Sequence, residues 1–262
     1  MPDPAYEHLT GIIDEYGDHI DYYTIWSEPD ACGGGGIKCI EPADYLNLLA
    51  QASVTIDNWD PEAKVAIAPV VLFHAQDDLD ALLGSDRIDD VDVIQWHGVY
   101  NVRPDDDPPS GEESTAQYYA DYPDIVADVV ATARTNGFTG DFWSTEITYC
   151  SCAYDRGCPA SDPRLSDIAT ATCYARSIVL HLAMDVGVST KSYADTAGPV
   201  TFATLARLNT MLAGTAPMDA MVELDPEPPE VRVFGFTTAD GDTLLVVWSD
   251  VAVIHPADNQ PT

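Results

Sequence analysis

The sequence predicts an α/β fold with a parallel sheet, followed by a separate antiparallel β element. Five runs rich in β-forming residues alternate with segments of helical periodicity between residues 20 and 212. After Gly214 the pattern changes to two β-rich runs joined by Asp240-Gly241, a dipeptide typical of hairpin turns. With 262 residues, of which 46% are hydrophobic, the chain can bury a large core and should form one main domain.

The elements of the first half follow from the spacing of apolar residues. Tyr6, Leu9, Ile13 and Tyr16 have helical spacing, and the run at 20–26 that follows is rich in β-formers. The same alternation then predicts a helix at 42–57, a strand at 64–72, a short helix at 76–83 and a strand at 91–100.

The second half continues the alternation. A helix at 114–136 precedes a strand at 141–149, and a helix at 164–187 is expected to end at Gly187 as its C-cap. A fifth strand at 189–194 and a helix at 201–212 close the series. The hairpin is predicted from the runs 231–236 and 244–248, and residues 255–262 are expected to be a frayed end.

The charge is unusually negative. With 44 acidic and 11 basic residues the net charge is −33, which disfavours nucleic acid and anionic membranes as partners. Molar salt shortens the screening length to about 3 Å and removes most of the self-repulsion. We therefore interpret the acidic excess as the solvated surface of a halophilic protein, the alternative being an ordinary acidic protein.

Six cysteines lie in two clusters. Cys32 and Cys39 bracket a Gly-rich loop, and Cys150, Cys152 and Cys158 precede Cys173. The even count predicts up to three disulfides in an oxidising compartment, with Cys32 bonded to Cys39 and the other four paired among themselves. A zinc site is the alternative, which the spacing of Cys150 and Cys152 and the lack of a nearby histidine disfavour, so no metal is expected at the cysteines.

Two glutamates follow predicted strands in similar settings. Glu28 lies in Trp26-Ser27-Glu28-Pro29, and Glu146 lies in Trp143-Ser144-Thr145-Glu146. Cleavage of a glycosidic bond with retention needs two carboxyl groups about 5 Å apart, one to protonate the leaving oxygen and one to attack the anomeric carbon. In a βα barrel such groups lie at the C-terminal ends of strands.

In these motifs the sequence resembles the retaining (β/α)8-barrel glycoside hydrolases, whose acid/base follows the fourth strand in a W-N-E-P-like motif and whose nucleophile ends the seventh. The resemblance implies a partial TIM barrel of strands four to eight, with Glu28 as acid/base and Glu146 as nucleophile. It implies hydrolysis of β-linked oligo- or polysaccharide, with no metal or organic cofactor. Ser27 and Tyr193 stand where the family usually has asparagine and tryptophan. The substrate-binding candidates are Trp26, Ser27, Trp96, His97, Tyr100, Trp143 and Tyr193.

Structural roles compete with these assignments. A glutamate after a strand is more often solvated than catalytic, His97 alone would suit a hydrogen-bonded core position, and the three tryptophans would also fill a barrel. The competing function is a non-catalytic carbohydrate-binding remnant of such a barrel. In either case a carbohydrate is the expected partner, and the oligomeric state stays open.

The strand numbering leaves strands one to three unaccounted for, which suggests an N-terminally truncated chain, or a half-barrel that dimerises. The expected division is an incomplete barrel at 1–214, part of a C-terminal β-sandwich at 215–254 and a tail at 255–262. Residues 1–30 lack the pattern of a signal peptide, and no run of 18 apolar residues occurs. The extracellular location that disulfides favour therefore requires a leader further upstream.

Overall fold

The computed structural model describes residues 4–29, 39–72, 76–98, 115–147, 166–190, 198–220, 222 and 231–249. Its α-helices are α1 (Pro4–Tyr16), α2 (Pro42–Trp59), α3 (Gln76–Leu83), α4 (Thr115–Thr135), α5 (Asp167–Ala183) and α6 (Pro199–Leu212). Its strands are β1 (Tyr22–Thr24), β2 (Lys64–Ala66), β3 (Val70–Val71), β4 (Val93–His97), β5 (Asp141–Ile147), β6 (Gly187–Thr190), β7 (Ala216–Met218), β8 (Val231–Thr237) and β9 (Thr243–Ser249). Short 3-10 helices cover Gly17–His19 and Asp86–Asp90.

The chain divides into two compact units. The first comprises residues 1–98 and 124–145, and the second comprises residues 99–123 and 146–262. Helix α4 and strand β5 cross this boundary, and β5 is one strand of the parallel sheet. The predicted domain limit at residue 214 follows a change in sequence pattern and stays a prediction.

The main sheet confirms the predicted α/β class. Its strand order is β1-β2-β4-β5-β6, with β3 also pairing with β4, and the pairs from β1 to β5 are parallel. All five residues of β4 are buried, as expected for a parallel strand covered on both faces. Leu49 and Ile56 of α2 are fully enclosed in the core of the first unit.

The predicted strand at 64–72 is two strands in the structure. β2 ends at Ala66 and β3 begins at Val70. Pro69 lies between them and has no amide hydrogen to donate to a neighbouring strand, which accounts for the interruption. Both strands still pair with β4, so the break changes the path of the chain without removing it from the sheet.

The second unit packs α5 and α6 with an antiparallel sheet of order β7-β8-β9. The buried centre of this cluster consists of Ile178, Val179, Leu212 and Phe236. Asp167 joins the two helices, because its carboxylate accepts hydrogen bonds from Val200 N (2.8 Å), Thr201 N (3.0 Å) and Thr201 Oγ1 (2.7 Å) at the start of α6.

The predicted hairpin is confirmed. β8 and β9 pair from Val231↔Ser249 to Thr237↔Thr243, and Gly241 takes φ 84° in the turn. β7 was not expected from the sequence, since Pro217 argues against a strand. It is an edge strand of this sheet, and a proline is tolerated there because one side of the strand has no neighbour to which an amide hydrogen would be donated.

The predicted end of the helix at 164–187 was wrong. Helix α5 ends at Ala183, and Gly187 begins β6. The helix is terminated by Asp185, which has φ 59°, with Val186 N bonded to His181 O and Asp185 N bonded to Leu182 O. These two bonds form a Schellman motif, in which the left-handed position is usually glycine.

Within the described ranges, the helices are too short or too polar to cross a membrane.

Candidate active site

Glu28 lies in a segment that continues from the end of β1. Ile25 N donates to Ala66 O (3.1 Å) and Glu28 N donates to Pro69 O (3.0 Å), so the segment runs beside the connection between β2 and β3. The Glu28 side chain is 28% exposed. The carboxylate is therefore held near the sheet while remaining accessible to a ligand.

The backbone at this segment is strained. Trp26 has φ 77° and Glu28 has φ 46°, in the left-handed region that bulky side chains seldom adopt. Such residues cost on the order of 1–3 kcal/mol each and cluster at functional sites. No sequence signal marks them, because neither residue is a glycine, asparagine or aspartate.

His97 is the last residue of β4 and is buried. Its Nε2 lies 3.4 Å from Oε1 of Glu28, an ion pair when the imidazole is protonated. The strand is anchored two residues earlier by Gln95, whose Nε2 donates to Ile67 O (2.5 Å) and Thr24 Oγ1 (3.1 Å). Gln95 thus ties β4, which ends in His97, to β1 and to the residue that follows β2.

Glu146 is the sixth residue of β5, which pairs with β4 through Trp96↔Ser144. One carboxylate oxygen of Glu28, one of Glu146 and one ring nitrogen of His97 all lie within 4.8 Å of one another. The structure therefore brings together both predicted catalytic glutamates and one predicted binding residue at the C-terminal ends of parallel strands.

The same three side chains offer one ligand atom each to a metal ion. Two carboxylates and an imidazole would suit a divalent cation, although clusters of acidic groups also occur without one. The sequence predicts no metal at this site.

The aromatic candidates differ in position. Trp26 is 48% exposed and precedes Glu28, whereas Trp96 is fully enclosed and packs against Phe142, with ring centroids 6.4 Å apart. Trp96 therefore fills the core and offers no face to a ligand in this structure. Ser27 is exposed next to Glu28.

Trp143 lies three residues before Glu146, about 10 Å along the strand. Its ring is 4.7 Å from that of Tyr22, the first residue of β1. Lys64 lies 5.4 Å from the Tyr22 ring and 3.6 Å from Asp141. Trp143 thus belongs to a cluster toward the start of the strands, away from the carboxylates.

Several predicted residues lie outside the described ranges, namely Cys32, Tyr100, Cys150, Cys152, Cys158 and Tyr193. Cys39 is disulfide-bonded, and Cys173 is partly buried on α5. Since all their predicted partners lie outside the described residues, the disulfide connectivity stays a prediction.

Sequence reasoning missed Gln95 and also Tyr45, whose phenol contacts Ile25 O and Ala68 N. Tyr45 lies in the predicted helix at 42–57, and the apolar spacing that predicts a helix does not indicate where a hydroxyl group points.

The fold is similar to that of known glycoside hydrolases. The chain matches a family 44 endoglucanase, Cel44A, from Clostridium thermocellum with a TM-score of 0.63 and 13% identity, over 93% of this chain and 58% of that one. It matches the catalytic domain of a family 30 xylanase C from Talaromyces cellulolyticus with a TM-score of 0.58 and 13% identity, over 92% of this chain and 53% of that one. At these identities the likeness shows the fold alone.

A family 30 subfamily 8 xylanase, Xyn30A, from Clostridium acetobutylicum gives a similar result, with a TM-score of 0.58 and 14% identity over 93% of this chain and 55% of the other. The chain thus spans little more than half the length of these structures. No protein-family model matches it, and no curated protein matches it.

Proposed function

We propose that this chain carries the catalytic carboxylates of a retaining glycoside hydrolase that cleaves β-linked oligo- or polysaccharide. Glu146 is the nucleophile and Glu28 is the acid/base. The observation that carries the proposal is the approach of one Glu28 oxygen to within 4.8 Å of one Glu146 oxygen. Retaining enzymes hold their carboxyl groups about 5–5.5 Å apart, whereas inverting enzymes need about 6.5–9.5 Å to admit a water.

The chemistry divides between the two groups. Glu146 attacks the anomeric carbon while Glu28 delivers its proton to the leaving oxygen, and Glu28 then removes a proton from the water that releases the sugar. His97 lies 3.4 Å from Glu28 and is buried, so it is suited to orient that carboxyl group. The similar folds of a xylanase and an endoglucanase support a polysaccharide as substrate, and such polymers are met outside the cell.

The proposal is tested on the chain as it is, with 2,4-dinitrophenyl β-xyloside, β-glucoside and β-cellobioside as substrates. We expect hydrolysis of at least one of them, with NMR showing a first-formed product of retained configuration. A product of inverted configuration would exclude the nucleophilic role of Glu146. Absence of hydrolysis of all three would favour a carbohydrate-binding remnant, which titration calorimetry with xylo- and cello-oligosaccharides would then test.

Substitutions separate the two roles. Glu146→Gln should lower turnover by several orders of magnitude, because no carboxylate remains to attack the anomeric carbon. Glu28→Gln should largely preserve the first step with dinitrophenol as leaving group and slow the second, and added azide should then restore turnover and give a β-glycosyl azide. Glu62→Gln, the same change at an exposed glutamate elsewhere in the first unit, should leave turnover unchanged.

Two results would contradict the roles assigned to Glu28 and Glu146. Azide rescue of Glu146→Gln in place of Glu28→Gln would reverse the two roles. A loss of activity with EDTA that a divalent cation restores would instead assign Glu28, His97 and Glu146 to a metal centre, since the proposed chemistry uses no metal.

A further inference from the structure

Trp26 and Glu28, on either side of Ser27, both have strained left-handed backbone. Strained backbone is maintained only where the surrounding structure holds it. The angle φ describes rotation about the N–Cα bond, between the preceding peptide plane and the rest of the residue, so a hydrogen bond to that plane restrains one side of the rotation. For Trp26 the plane carries Ile25 O, and for Glu28 it carries Glu28 N.

Both planes are hydrogen-bonded to groups outside the segment. Glu28 N donates to Pro69 O at 3.0 Å, and Ile25 O accepts from the hydroxyl of Tyr45 on α2 at 3.2 Å. The same hydroxyl oxygen accepts from Ala68 N at 2.5 Å. Tyr45 therefore joins the segment that bears Glu28 to the connection between β2 and β3, which supplies Pro69.

The Tyr45 hydroxyl is suited to this contact. Tyr45 is 6% exposed, so water competes little for its hydrogen bonds. Burial raises the pKa of the phenol strongly, and the bond from Ala68 N opposes this only in part. The hydroxyl thus keeps its proton and remains a donor to Ile25 O over the whole pH range of a folded protein.

We infer that Tyr45 is a positioning residue for the acid/base Glu28: its hydroxyl bridges Ile25 O and Ala68 N and so fixes the left-handed backbone that aims the carboxyl group. The inference rests on the proposed function, since it assigns Glu28 the delivery of a proton. It predicts that loss of the hydroxyl impairs proton delivery more than any other step.

The test is Tyr45→Phe, with Tyr23→Phe as the matched control. Tyr23 is also a buried tyrosine of the first unit, and its hydroxyl donates to Asp60 Oδ2 at 2.9 Å, on a residue outside the segment that bears Glu28. Each substitution removes one oxygen atom and its hydrogen bonds. Circular dichroism and urea unfolding establish that both variants are folded before they are compared.

The kinetic readout is kcat/KM for two aryl β-glycosides, because this ratio reports the step in which Glu28 acts as an acid. A phenyl glycoside needs the proton and a 2,4-dinitrophenyl glycoside hardly needs it. In Tyr45→Phe we expect kcat/KM to fall about tenfold more for the phenyl glycoside than for the 2,4-dinitrophenyl glycoside. In Tyr23→Phe we expect kcat/KM to change by the same factor for both substrates. Equal losses for both substrates in Tyr45→Phe would reduce Tyr45 to a structural role and overturn the inference.

A second measurement does not depend on activity. The most protected amides of β4 report any change in global stability. In Tyr45→Phe the exchange rate of the Glu28 amide should rise at least tenfold more than the rates of those amides. In Tyr23→Phe the Glu28 amide and those amides should change by the same factor. An unchanged Glu28 amide overturns the inference even if the chain is active. If the Glu28 amide exchanges faster in Tyr45→Phe but the chain hydrolyses no glycoside, the positioning of residue 28 by Tyr45 is supported. The proposed function is then refuted.

Discussion

At the scale of single residues, His181 on α5 is fully enclosed. Its Nδ1 lies 2.6 Å from Ser177 O and its Nε2 lies 2.6 Å from the hydroxyl of Tyr122. The carbonyl can only accept, so Nδ1 carries the hydrogen and Nε2 accepts from the phenol. This arrangement satisfies a neutral imidazole and has no place for a second proton.

We predict that His181 makes the protein less stable in mild acid. Burial lowers its pKa from 6.5 to about 4, so between these values the unfolded chain binds a proton that the folded chain does not. The free energy of unfolding should therefore fall as pH drops from about 6.5 toward 4, by on the order of 3 kcal/mol in total.

The measurement is urea unfolding at pH 7, 6 and 5 in the native protein and two variants. His181→Gln should remove this part of the decline, whereas His19→Gln, at an exposed histidine, should keep it. Equal pH dependence in all three proteins would show that His181 contributes nothing to it.

The sequence predicted that both glutamates and His97 lie close together, because each follows or ends a β-rich run, and the C-terminal ends of parallel strands meet at one edge of a sheet. It did not identify the Tyr45 bridge or the left-handed Trp26. Those depend on which atoms of distant segments meet, and no local pattern records that. Trp96 was predicted as a substrate contact because it lies beside His97, and in the structure its side chain is fully enclosed.

At the scale of elements, periodicity located the segments better than their ends. The predicted helix at 76–83 has the bounds of α3, whereas the predicted helix at 164–187 extends beyond α5 at both ends. The C-terminal error arose because glycine is the usual terminator and Gly187 was available, while the fold uses Asp185 two residues earlier. Local composition cannot show which of these residues ends the helix, because the end of α5 also depends on where β6 begins.

We predict that Asp185→Gly stabilises the protein by about 1 kcal/mol. Asp185 has φ 59°, which glycine adopts without steric cost, and its negative charge lies at the C-terminal end of α5, where the helix dipole disfavours it. The measurement is the free energy of unfolding in urea.

Asp185→Asn separates the two causes, since asparagine removes the charge and tolerates the left-handed region about as well as aspartate. We expect it to give only the smaller, electrostatic part of the gain. If Asp185→Gly were destabilising, the Schellman geometry assigned to the end of α5 would be incorrect.

At the scale of the whole molecule, the net charge of −33 acts on every part of the surface. We predict that the melting temperature rises by 10 °C or more between about 0.1 M and 2 M KCl, because screening removes repulsion that opposes the compact state. This increase would support the halophilic interpretation of the composition.

Salt also stabilises proteins by exclusion from their surface, so a charge variant is the control. Asp14, Asp18 and Asp21 are exposed acidic residues close together in the sequence. Their joint replacement by asparagine reduces the negative net charge from −33 to −30 without altering a described hydrogen bond of their side chains. The gain from KCl should be smaller in this variant, while the gain from 1 M sucrose should be the same. An identical gain from KCl in both proteins would leave exclusion as the cause.

The order of strands in the main sheet has a consequence for how the protein is made. β1, β2, β4 and β5 are neighbours in the sheet in the same order in which they occur along the chain. A strand leaving the ribosome therefore finds its partner already synthesised and pairs without waiting for later sequence. Glu28 can meet His97 as soon as β4 has emerged, and Glu146 is added only with β5. The two carboxylates can therefore come together only after β5 has been synthesised, when Glu28 and His97 are already in place.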